Sequence, residues 1–240
     1  MSALSLVLIT GCGGESSDNG SNDAKEKGTS SSESAAKTYS AAELKKLIVA
    51  KADLPGYEIQ PAAATERFAA SKDAVTAKDA TCAPLAYAVS GFAPGDESAY
   101  TDLITTKTPK DATSGGGLDS TVTMVSLSSY EGEGAQETLK SAKDAVAACA
   151  GGFTVSAKGQ ETQKYTKVAE EQSSGTGDES VAFAVTNEGA GKMVAHAEIA
   201  RHGNTLATYY SLNLTAAMTG KKLDYTVPAE IPKAQSRKLK

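Results

Sequence analysis

Apolar and polar side chains alternate along the last third of the chain. Met193, Ala195, Ala197 and Ile199 share one face of an extended segment. Leu206, Thr208, Tyr210, Leu212 and Leu214 share one face of the next, and His202-Gly203-Asn204 lies between them. Period two on both sides of a Gly-Asn turn predicts a β-hairpin. Extended segments are predicted at 153–158, 160–169, 179–187, 191–201 and 204–214, with another turn at Gly189 to Gly191. Two more lie earlier, at 98–107 and 118–129, joined by a polar, Gly-rich loop from Lys110 to Gly117. The 118–129 segment is apolar on both faces, the mark of a central strand.

Helical spacing appears where the alternation stops. Ala135, Leu139, Ala142, Val146 and Cys149 fall on one face of a helix from Glu133 to Ala148, with Lys140 and Asp144 paired on the opposite face. Gly151-Gly152 ends it. Ser40-Ala41-Ala42-Glu43 is a capping box that opens a helix carrying Leu44, Leu47 and Ile48, and Leu54-Pro55-Gly56 turns the chain after it. Tyr57 to Gln60 is a short strand and 61–80 a loop. Thr81 caps a short helix over Cys82–Val89, with Pro84 tolerated in its first turn. Pro228 to Lys240 forms a last helix that packs Ile231 on the domain. Segregated helices beside runs of antiparallel strands give an α+β fold, one twisted antiparallel β-sheet with helices packed on one face.

The first residues have a different pattern. Ala3 to Cys12 is a short apolar run ending in small residues and a cysteine, the layout of a lipoprotein signal in which Cys12 becomes the lipidated (palmitate-bearing) first residue. No basic residue precedes the run, so it is either a weak signal or one whose start lies upstream. Residues 13–39 are almost wholly Gly, Ser, Asp, Asn, Glu, Lys and Thr until Ala35 and form a disordered polar tether. The expected organisation is a signal at 1–12, a tether at 13–39 and a single domain over 40–240.

Cysteine arithmetic supports that address. The chain has three cysteines, Cys12, Cys82 and Cys149. Lipid on Cys12 leaves Cys82 and Cys149 as a pair, which an oxidising compartment would join as a disulfide. The formal net charge is -5, and the basic residues that cluster are Lys233, Arg237, Lys238 and Lys240 at the end of the last helix. That is a solvated helix end and not a nucleic-acid footprint.

Residues that could carry chemistry are few. His196 and Glu198 lie on the same face of a strand, as a polar face or as the wall of a cleft. No metal site, cofactor fingerprint, nucleophile elbow or phosphate loop accompanies them, and no catalytic residue is assigned. Tyr209 and His196, on the less apolar faces of the last hairpin, are candidates to line a cleft between sheet and helices, together with Glu198. His202, beside a turn, is expected to be exposed.

Three phrases carry a resemblance: Asp53-Leu54-Pro55-Gly56-Tyr57, Cys82-Ala83-Pro84-Leu85-Ala86-Tyr87-Ala88 and Ala145 to Phe153. They are similar to actinobacterial surface lipoproteins and, distantly, to the extracellular sensor domain of mycobacterial receptor Ser/Thr kinases of the PknH type. The resemblance implies a twisted antiparallel sheet with a cleft that takes a ligand, and no catalytic residues. The sensor domain has two disulfides where this chain has cysteines for one.

The expected protein is a monomeric, non-catalytic, sensor-like domain on the outer face of the cytoplasmic membrane. It is held there by lipid and binds a small ligand or an envelope protein. The alternatives are an envelope hydrolase using His196 and Glu198, marked by a third converging side chain, and a purely structural lipoprotein without a pocket.

Overall fold

Nine strands form one antiparallel sheet in the computed structural model, which describes residues 37–63, 67–107, 121–189, 192–220 and 223–240. The expected signal, Cys12 and most of the tether lie outside the described residues, as does the loop from Lys110 to Gly117. In chain order the elements are α1 (Ala41–Leu47), β1 (Tyr57–Gln60), β2 (Val75–Ala77), α2 (Ala83–Val89), β3 (Ala99–Lys107), β4 (Thr121–Ser129) and α3 (Gly134–Ala148). They continue with β5 (Phe153–Ala157), β6 (Gln163–Glu171), β7 (Glu179–Asn187), β8 (Val194–His202), β9 (Thr205–Asn213), α4 (Leu214–Thr219) and α5 (Glu230–Lys238). The spatial order of strands is β1-β3-β4-β9-β8-β7-β6-β5-β2. The α+β architecture is the one the order of elements predicts.

The hairpin β8–β9 sits at the middle of the sheet, and its register pairs His196 with Ser211, Glu198 with Tyr209 and His202 with Thr205. β4 lies between β3 and β9, an interior strand as its two apolar faces require. Apolar side chains on the two faces feed two clusters. On one face α2 and α3 cover Val181, Phe183, Ala195, Ala197, Ile199 and Leu206. On the other, α1 and α5 from the two ends of the described chain cover Leu103, Val125, Leu127, Ala207 and Tyr209. The terminal helices thus add a second layer to the one formed by α2 and α3.

Local signals act where expected. The Ser40 side chain accepts from the Glu43 backbone while the Glu43 carboxylate accepts from the Ser40 backbone, closing the capping box on α1. Lys140 and Asp144 pair at 2.7 Å on the exposed side of α3. Cys149, on the buried side, is joined to Cys82 by a disulfide that ties the end of α3 to the start of α2. Gly152 has φ +100°, and an added Cβ there would meet the Tyr165 carbonyl oxygen at 2.1 Å. Only glycine lets the chain leave α3 and pass this close to β6.

Candidate functional site

Two neighbouring rows of side chains cross the sheet on the face that α2 shares. Gln60, Ile104, Met124 and Tyr210 are in register across β1, β3, β4 and β9. Thr106, Val122 and Leu212 form the next row. These rows floor a cavity of about 430 Å³ whose walls are Phe68, the end of α2 and the turn that follows it (Val89, Ser90, Gly91), and Leu214. Aliphatic and aromatic groups dominate, with the Ser90, Thr106 and Gln60 side chains as the polar groups. That is the make-up of a small-molecule pocket, an apolar body with a few polar groups to orient what enters.

Neighbouring interactions fix the wall at Gly91. The Tyr100 hydroxyl donates its single proton to the Gly91 carbonyl at 2.9 Å and lies 3.2 Å from Asp102 Oδ2. Arg67 Nε donates to the same carboxylate oxygen at 3.1 Å, and both members of this ion pair are mostly buried. Burial, with the Asp102 charge beside it, pushes the Tyr100 phenol far up, so it remains a donor at neutral pH. Gly91 has φ +79°, and a Cβ there would lie 2.6 Å from the Met124 sulfur on the pocket floor. Glycine is what lets the turn close over the sheet.

His196, Glu198 and Tyr209 do not line this cavity. Strand alternation puts Tyr210 in it and turns Tyr209 to the opposite face, where Glu198, Tyr209, Val125 and Leu103 form a row. The expected polar face is covered: His196 is 7% exposed, Glu198 3% and Tyr209 0%. His196 Nδ1 lies 2.9 Å from Glu171 Oε2, and its ring meets the Tyr225 ring edge-on at 4.5 Å. Glu198 accepts instead from Ser174, through the backbone N–H at 3.1 Å and the hydroxyl. Burial raises the Glu198 pKa, opposed by the two Ser174 bonds. Burial likewise pushes Tyr209 up, helped by the Glu198 charge. Among the described residues the Tyr209 hydroxyl has no hydrogen-bond partner.

Glu198, but neither His196 nor Tyr209, borders a smaller cavity of about 300 Å³ between the loop after β6 and the segment before α5, lined also by Glu171, Ser174 and Thr226. A third side chain, Glu171, does reach His196. The imidazole and Glu198 nevertheless have separate partners, and among the described residues no hydroxyl or thiol is hydrogen-bonded to His196. The one hydroxyl bonded within the constellation, that of Ser174, reaches Glu198 and not the imidazole that a Ser–His pair would use. Among the described residues no group of three or more metal-ligating side chains converges. His202 is half-buried, not exposed: Gly203 N–H donates to Asp178 at 2.7 Å and folds the turn back, and burial lowers the imidazole pKa.

Of the three residues expected to line a cleft, Glu198 borders the smaller cavity and none borders the larger, whose floor takes Tyr210 and Leu212, on the apolar face they share with Leu206.

No family model matches the chain, and no curated protein does. Among solved structures it is similar to the extracellular domain of PknH from Mycobacterium tuberculosis, at 16% identity and a TM-score of 0.53, over 85% of this chain and 95% of that one. A putative uncharacterized protein from Mycobacterium smegmatis aligns at 10% identity and a TM-score of 0.36, over 86% and 97%. The first likeness is one of fold; the second is too distant to carry an argument.

Proposed function

We propose that this chain is a lipid-anchored extracytoplasmic domain that binds an apolar small molecule, without catalysis, in the pocket between the sheet and α2. The observation that carries the reading is the cavity of about 430 Å³ floored by Ile104, Met124, Tyr210, Val122 and Leu212. Apolar surface left open to water costs about 25 cal/mol per Å², so a concentration of it in a concave site favours an occupant. The Cys82–Cys149 disulfide supports an oxidising compartment. The fold likeness to a domain described as extracellular supports the same address. The lipid is proposed on Cys12, and the role is sensor-like in that nothing bound is transformed.

The test uses Nile red, an uncharged apolar dye whose emission rises out of water. The full chain is expected to bind it, and Val122→Trp with Leu212→Trp, which fill the pocket, to weaken binding by about tenfold or more with little change in the unfolding midpoint. Undiminished binding by the filled variant would count against the pocket. Cys12→Ser should move the protein from the membrane fraction to the soluble one, and unchanged retention would count against the anchor.

A further inference from the structure

The outward side of the α1–α5 layer is basic. Lys45 and Lys46 project from α1, Lys51 follows it, and Lys233, Arg237 and Lys240 lie on and just after α5; all six are exposed. None of them is in an ion pair among the described residues. The acids on these elements are engaged: Glu43 with Lys37 at 2.9 Å, Asp53 with Lys238 at 2.9 Å, and Glu230 with Lys107 at 2.9 Å. The whole chain carries a formal net charge of -5, so six unpaired cations on one layer run against its overall charge.

The two helices present these cations as one rigid surface. Gln235 of α5 accepts from the Val49 backbone N–H at 2.9 Å and donates to the Leu47 carbonyl at 2.9 Å. Lys238 reaches Asp53 beside Lys51. Among the described residues the exposed large apolar ones, Leu214, Met218 and Leu223, are on and after α4, outside this surface. The α1–α5 layer can therefore meet a partner by charge alone, without inserting.

We infer that this surface docks on an anionic lipid bilayer. Two observations choose the occupant: the sign of the charge, and the place where residues 1–36 join the domain, at Lys37 immediately ahead of α1. If Cys12 carries lipid as proposed above, the tether brings a bilayer within reach of this layer; the docking itself needs no lipid on the chain. A consequence follows for the pocket. α1 packs on β3 and β4, and the pocket uses the other face of those strands. A docked domain holds its pocket on the side of the sheet away from the bilayer.

Sedimentation with vesicles tests this, using the full chain carrying Cys12→Ser. Binding is expected to vesicles of equimolar phosphatidylcholine and phosphatidylglycerol, not to phosphatidylcholine alone, and to fall steeply with added salt. Each basic residue at an anionic surface is worth about fivefold in partitioning. Reversing Lys45→Glu, Lys46→Glu and Arg237→Glu together should therefore lower it by at least about a hundredfold, the loss expected from removing the three cations alone. Reversing Lys158→Glu, Lys167→Glu and Lys192→Glu, exposed positions elsewhere, makes the same change in net charge and should leave binding largely intact. Equal binding to both vesicles, binding to neither, or equal loss in the two variants would overturn the proposal. Nile red binding reads the pocket separately, so either reading can fail alone.

Discussion

Glu198 shows what a single residue does when its strand face is covered. Its carboxyl is 3% exposed, and burial raises its pKa above the ordinary 4.5. Below that value the group is protonated in both the folded and unfolded chain. As pH rises past it the unfolded chain ionises first, so the folded state loses stability until its own carboxyl ionises. Glu198→Gln should remove this slope. Urea unfolding between about pH 4 and 8 is expected to show wild-type stability falling relative to the variant as pH rises; parallel curves would mean the carboxyl is not desolvated. The alternation that places Glu198 beside Tyr209 and away from Ile199 is legible in the sequence. The cover is not, because Ser174 and Tyr225 come from segments distant in the chain. A polar strand face shows what partners it needs, not whether something buries it.

At the scale of elements, the joint between α1 and α5 depends on Gln235, fully buried and bonded at both ends of its amide. Gln235→Leu keeps the bulk and strands the Val49 N–H and the Leu47 carbonyl. A loss of about 2–3 kcal/mol is expected in urea unfolding; a change within error would mean that water replaces the amide. Strongly periodic elements were readable, α3 and the β8–β9 hairpin above all. β2 was not: three residues in an Ala-rich stretch span too little of a period, and its partner β5 is far along the chain. α4 was missed because Leu214 continues the apolar face of β9. The signal lay one residue earlier, where Asn213 Oδ1 accepts from Ala216 N–H at 2.9 Å and caps a helix.

For the whole molecule, the disulfide spans 67 residues and clamps α2 to α3 beside the main apolar cluster. Replacing Cys82 and Cys149 with serine together should cost about 4 kcal/mol by loop-closure entropy. The urea midpoint of the pure variant measures this; an unchanged midpoint would place the stabilisation elsewhere. An odd cysteine count pointed to the pair, and the α+β class followed from the order of elements. The order of strands could not be read, since it depends on pairings such as β4 with β9 between segments far apart in sequence.

That strand order has a consequence in time. Both edges of the sheet, β1 and β2, come from the first third of the chain, while its middle, β8 and β9, comes near the end. A chain emerging amino terminus first has β3 and β4 in hand but must wait for β9 before β4 gains its second neighbour. The sheet cannot close during most of synthesis, and its long-range pairings make closure slow. The sheet gains its full set of pairings only once the last hairpin, β8–β9, has been made.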